Sequence, residues 1–238
     1  MALVGVTNLT APKTYKKILV IPDIHFPFSD WKAIKKIHAW KVKNRPDLIV
    51  FLGDVLDAKA WSRYPKDTDD LSAQAEFDAA EADMKKLHKL FPKAILLMGN
   101  HDVRAMSKAL EVHLPKQLIN SLQDVFAFKG WVWHTHTKPL VINTPSGKVA
   151  FMHGDEIQGT PSQKASKLGM SVVHGHTHKA SLSYVDTFTH QVYGMECGHV
   201  SDPDSKGMRY AVKNPVTSWL GFATIIDGVP ALIPLSKA

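Results

Sequence analysis

The sequence predicts an α/β domain carrying a second, packed sheet, and three observations predict it. Apolar runs of strand length at 18–21, 48–52 and 94–98 are separated by two segments of helical periodicity. Each run closes on a polar turn, two of them marked by glycine. Beyond Trp131 the composition shifts to short β-type segments and turns. Strand, helix, strand, helix, strand is the order of right-handed parallel crossovers.

In chain order, 17–25 reads as a buried strand ending on Asp23-Ile24-His25. Asp30 is placed to N-cap a helix running to Asn44, with Ile34, Ile37 and His38 on its inner face and Pro46 just beyond its end. The second strand, 48–52, is closed by Gly53-Asp54 and followed by a polar segment, 59–69. A helix over 70–90 follows, whose Phe77, Ala80, Met84, Leu87 and Phe91 keep helical spacing. The third strand, 94–98, is closed by Gly99-Asn100-His101-Asp102. A helical stretch over 106–123 leads to strands at 131–135, 140–143 and 148–153, with a hairpin at Pro145-Ser146-Gly147. Short β-type segments then continue to the end at 171–174, 181–186, 191–195 and 221–226. No repeat, low-complexity tract or linker divides the chain, so 1–238 reads as one domain.

A chain of 238 residues with 45% apolar content can bury a full core without covalent staples. Its single cysteine, Cys197, excludes an internal disulfide scaffold and permits a reducing compartment. The apolar runs fall far short of the roughly 18 residues of a spanning helix. Residues 1–6 are also too short for a signal-peptide core, so the expectation is a soluble, cytoplasmic protein with no membrane partner. Lys+Arg 29 against Asp+Glu 22 leaves a net charge of +7, carried mostly by scattered lysines, with arginine only at 45, 63, 104 and 209. That balance describes either a solvated surface or an electropositive face that draws in phosphate-bearing substrates such as nucleotides or nucleic acid.

The chemistry is concentrated in five motifs: Asp23-Ile24-His25, Gly53-Asp54-Val55-Leu56-Asp57, Gly99-Asn100-His101-Asp102, His153-Gly154 and Gly175-His176-Thr177-His178. All fall at predicted strand ends or in the turns after them, where ligands of open α/β sheets gather. Oxygen and imidazole donors in this mixture suit manganese, iron or zinc better than calcium or magnesium. If extended, Asp23 and His25 point the same way and both reach one ion.

These five motifs, in this order, resemble the signature of the calcineurin-like metallophosphoesterases, over roughly residues 17–179. The resemblance implies a two-sheet (α/β/β/α) sandwich holding two divalent ions, manganese first, with iron or zinc as alternatives. It implies one ion held by Asp23, His25, Asp54 and His178, and the other by Asp54, Asn100, His153 and His176, with Asp54 bridging. Two such ions with two carboxylates and one hydroxide leave a net positive centre that attracts a phosphoryl oxygen. The hydroxide bridging the ions would attack phosphorus in line, His101 would assist the leaving group, and Asp57 would orient His101. Arg104 and Arg63 are candidate substrate contacts.

His134 and His136, beside Trp131 and Trp133, read as surface or supporting residues, and His174 as a satisfied core histidine. Ala58-Lys59 follows Asp57 where Ser/Thr protein phosphatases of this family place arginine and glycine. His101 stands where lipid A pathway pyrophosphatases carry arginine. The reading is therefore a compact phosphodiesterase or phosphomonoesterase, its substrate a nucleotide or nucleic acid. Against it stand a non-catalytic metal-binding scaffold and a nucleic-acid-binding protein retaining the fold. All candidate ligands, His101 and Asp57 are present, so no erosion of the site is visible. A serine-hydrolase elbow and a dinucleotide-binding glycine loop are absent from the sequence.

Overall fold

The computed structural model describes residues 13–63, 67–202, 204–205 and 218–235; residues 1–6 and Arg209 lie outside these. Strand β1 (Lys17–Ile21), helix α1 (Trp31–Asn44), β2 (Leu48–Phe51), α2 (Ala73–Leu90), β3 (Ala94–Leu97) and β4 (Trp131–His134) form parallel crossovers. Two C-terminal strands, β10 (Gly221–Ile226) and β11 (Val229–Pro234), complete a six-stranded sheet in the order β11-β10-β1-β2-β3-β4. The second sheet contains β5 (Leu140–Thr144), β6 (Gly147–Phe151), β7 (Ser171–His174), β8 (Ala180–Asp186) and β9 (Gln191–Cys197), in the order β5-β6-β7-β9-β8.

Strand alternation sorts the apolar side chains into three layers. Leu19, Ile21, Ile49, Phe51 and Leu96 face outward and bury against Ile34 and Ile37 of α1 and Met84 and Leu87 of α2. Their neighbours Ile18, Val20, Val50, Leu52 and Ile95 face inward, against Ile142, Val149, Phe151, Val173 and Met195 of the second sheet. The outer face of that sheet, through Ala150, Val172 and Val192, packs on Ala165 of helix α5 (Pro161–Leu168). The result is the expected α/β/β/α sandwich. Among the described residues no helix is long and apolar enough to cross a membrane.

Four departures from the sequence reading have local causes. Helix α2 starts at Ala73, not Asp70, because Ser72 caps it while the Asp70 carboxylate is used on Lys59 Nζ at 2.5 Å. The single helical stretch over 106–123 is instead α3 (Arg104–Glu111), a 3-10 turn (Lys116–Leu118) and α4 (Leu122–Val125). Pro115 and a left-handed His113 (φ 59°) interrupt it. Helix α5 stands where only β-type segments were expected; Thr160 and Gln163 form a reciprocal capping box around Pro161, and Gly169 closes the helix. Strand β11 carries Pro230 and Pro234, tolerated because it is an edge strand.

Cys197 lies in the inter-sheet core with no exposed surface, and burial pushes its thiol pKa well up. A thiol reagent is expected to leave the native protein unlabelled and to titrate one equivalent in denaturant. Stoichiometric labelling of the folded protein at neutral pH would contradict this packing.

Candidate metal centre

All five motifs follow the C-terminal ends of β1, β2, β3, β6 and β7, so both sheets contribute to one point. The loops are joined by main-chain bonds: Ile24 N–H and His25 N–H donate to the Asp54 carbonyl at 3.1 and 2.9 Å, and Phe26 N–H to that of Val55 at 2.8 Å. Asp23 and His25 are not extended, contrary to the alternation expected of them. Their φ values are 25° and 57°, and Asp54 (48°), His176 (76°) and His178 (61°) are left-handed as well. A β-carbon substituent disfavours this region by about 1–3 kcal/mol per residue where it is strained, and such residues cluster at functional sites. Gly53 (φ 94°) and Gly175 permit the approach, since a Cβ on the first would meet the Gly99 backbone and on the second the Asp23 carboxylate.

Two groups of donor atoms result. In one, Asp54 Oδ2 is 3.2 Å from His153 Nε2, Asn100 Oδ1 is 2.9 Å from His153 Nε2 and 3.1 Å from His176 Nδ1, and the two imidazole nitrogens are 3.2 Å apart. In the other, His25 Nε2 is 3.0 Å from His178 Nε2 and 3.8 Å from Asp54 Oδ2, and His178 Nε2 is 3.7 Å from Asp23 Oδ1. Neighbouring ligands about an octahedral ion with bonds near 2.1 Å lie about 3 Å apart. The first group already has that spacing, and the mixed nitrogen and oxygen donors suit a transition ion. Asp54 Oδ2 stands between the groups while Oδ1 accepts the His101 main-chain N–H at 2.8 Å. The residues present therefore fit a pair of ions sharing Asp54.

The structure brings together Asp23, His25, Asp54, Asp57, Asn100, His101, His153, His176 and His178. Asp57 does more than orient His101. Its carboxylate is 2.9 Å from His25 Nδ1 and 3.5 Å from His101 Nδ1, while its carbonyl accepts from His101 Nδ1 at 2.7 Å. Arg104 joins this group through His101 Nε2 (2.6 Å) and the Asp57 carbonyl (2.9 Å). Arg63 is exposed and stands apart from the buried cluster. His134 bonds the Lys138 carbonyl in a surface turn, and His136 pairs with Asp155 at 2.8 Å beside His153.

Several supporting residues were not assigned roles from sequence. Asp102 accepts the N–H groups of Leu56 and Gly99 at 2.9 and 2.8 Å, fixing the second loop to the third. Glu156 accepts those of His153 and Gly154 at 3.0 and 2.6 Å. Buried Lys164 donates to the Gly154 carbonyl at 2.5 Å. Asp102 and Glu156 stand within three residues of motif ligands, which was the available signal; Lys164, on the unforeseen α5, gave none.

Residues 16–178 match the family described as calcineurin-like phosphoesterase. The chain belongs to that family. It is 25% identical over 254 residues to the gene 54 protein of Mycobacterium phage L5, covering 92% of this chain and 94% of that one. It is 26% identical over 256 residues to the gene 54 protein of phage D29, with the same coverage. Among solved structures it shares the fold of the Escherichia coli phosphoesterase YfcE, with a TM-score of 0.52, 14% identity and 92% of each chain covered.

The charges of this family member's centre are set by burial and by one another. Burial raises the Asp57 carboxyl, but the His101 and His25 hydrogen bonds hold it down at about 2, so it stays ionised. Burial, and then His25, push the His178 imidazole well below its usual range. Burial also lowers His153, yet the Asp54 charge overrides it and carries His153 well up, so an ion binding there displaces a proton. Burial and the Lys164 ammonium push His174 down to about 3, leaving it a neutral donor to the Gly175 carbonyl at 2.9 Å.

Two outcomes are expected. Asp57→Asn weakens binding at the His25 group by about 10–100-fold and spares the other group, as read by competition with a chelating dye; equal weakening of both would remove the Asp57–His25 assignment. Between pH 6.5 and about 3 the unfolded chain protonates residue 174 while the folded protein does not, so His174 lowers stability as pH falls. Urea midpoints of metal-free protein should drop from pH 7 to pH 4.5, with a shallower slope in His174→Gln. An unchanged slope would exclude this contribution.

Proposed function

We propose that the protein is a phosphoesterase using two divalent ions, manganese first, to hydrolyse a phosphodiester or phosphomonoester of a nucleotide or nucleic acid. The observation that carries this reading is the placement of Asp54 Oδ2 between two groups of imidazole and oxygen donors, in a chain of the calcineurin-like phosphoesterase family. When bound, such ions clamp the phosphate and make water a nucleophile near neutral pH. Asp57 and Asp54 hold His101 at the edge of the centre through its ring and its main chain. Arg104 adds a permanent positive charge beside it. The net charge of +7 favours a polyanionic substrate.

The test is hydrolysis of an aryl phosphodiester and the matching monoester by metal-stripped protein reloaded with manganese. Turnover of at least one, abolished by chelator and by Asp54→Asn with loss of both ions, is expected. Diester preference directs attention to nucleic acids and cyclic nucleotides, and monoester preference to nucleotides. A protein that binds two ions and turns over neither ester, nor any nucleotide or nucleic acid offered, would be a scaffold.

A further inference from the structure

Arg104 and His101 form an unexpected pair at the lip of the centre. Arg104 Nη1 donates to the Asp57 carbonyl at 2.9 Å and Nη2 to His101 Nε2 at 2.6 Å, while His101 Nδ1 donates to that same carbonyl at 2.7 Å. A guanidinium carries five donors and no acceptor. His101 Nε2 is therefore the acceptor, and the ring proton sits on Nδ1, facing away from the centre. Yet Nε2 is the ring atom 3.7 Å from Asp54 Oδ2, the position from which a proton would be handed to a leaving group. It offers a lone pair to Arg104 instead.

We propose that the departing oxygen is met by the Arg104 guanidinium, with His101 as the positioning residue that aims it. This rests on the phosphoesterase reading. In the step, a hydroxide oxygen bonds to phosphorus as the bond from phosphorus to the ester oxygen breaks, leaving its electron pair on that oxygen. The guanidinium stabilises the resulting anion through its remaining N–H groups and keeps all its protons. The departing oxygen takes a proton from solvent water, which returns the hydroxide. The planar fork holds one edge on His101 and the Asp57 carbonyl and leaves other donors for the substrate, which a lysine cannot reproduce. Burial of the His101 ring, 8% of whose residue surface is exposed, keeps the acceptor fixed.

The competing account is that Arg104 leans on His101 only because Asp23, Asp54 and Asp57 lack cations. Nitrogen-15 NMR of the His101 ring in metal-free and zinc-loaded protein separates the two without any turnover measurement. An unprotonated, hydrogen-bonded Nε2 in both states is expected; a protonated Nε2 in the zinc-loaded protein overturns the inference. In kinetics, Arg104→Ala should retain both ions and lose about 10²–10³-fold in kcat, the range for removing one preorganised donor to a developing oxyanion. The loss should be greater for alkyl than for nitrophenyl leaving groups, should be partly restored by added guanidinium, and should not be repaired by Arg104→Lys. An Arg104→Ala variant within threefold of an active wild type on the alkyl ester, or one that guanidinium fails to rescue, sinks this inference alone. A wild type inert toward every ester sinks the phosphoesterase reading and this inference with it.

Discussion

One residue, Asp54, ties the separate strand ends into a single centre. Its carbonyl receives the main-chain N–H groups of Ile24 and His25, its Oδ1 that of His101, and its Oδ2 faces His153. The first four motifs thus meet on a single side chain and its peptide group. The left-handed turn at Asp54 and the missing side chain at Gly99 make this possible, because a Cβ there would strike the Asp54 carboxylate. Displacing Asp54 would disturb the relation among three loops as well as removing a donor.

Such a concentration of buried donors is costly, and a shell of ordinary interactions offsets it. Asp102, Glu76 and Glu156 are all spent on main-chain N–H groups of the loops: Glu76 on Lys59 and Ala60, Asp102 on Leu56 and Gly99, Glu156 on His153 and Gly154. Each satisfies peptide groups that irregular backbone would otherwise leave unpaired under the rim. Lys164 reaches through the second sheet's helix to do the same for a carbonyl. Five donors in left-handed backbone are sustained because the loops around them are determined several times over.

Much of this was legible in the sequence because strand-length runs ending in Asp, His and Gly encode both the parallel sheet and its functional edge. Alternation in Ile18–Ile21 and its counterparts sorts the three apolar layers without further information. What stayed hidden has physical causes. Helix α5 is short and polar, and its signal lay in the Thr160–Gln163 box rather than in periodicity. The prolines of β11 disguise an edge strand. Convergence of Asp23 and His25 was anticipated for the wrong reason, since extended alternation gives way to consecutive left-handed turns that no local pattern announces. The sharing of Asp57 between His25 and His101, and the Arg104 clamp, depend on three-dimensional register between loops 32 to 47 residues apart.

The donors around Asp54 come from both layers of the sandwich: Asp23, His25 and Asn100 follow strands of the six-stranded sheet, while His153, His176 and His178 follow strands of the five-stranded one. Between the layers lies only apolar packing centred on Phe151, Leu52 and Met195. An ion held there is thus a rivet through two plates. Its binding free energy adds directly to the work of prying the layers apart, since a separated sandwich retains no complete donor set. The same atoms that handle a phosphate would then set how readily the molecule opens along its seam, and a cell's supply of transition metal would become a determinant of the protein's lifetime.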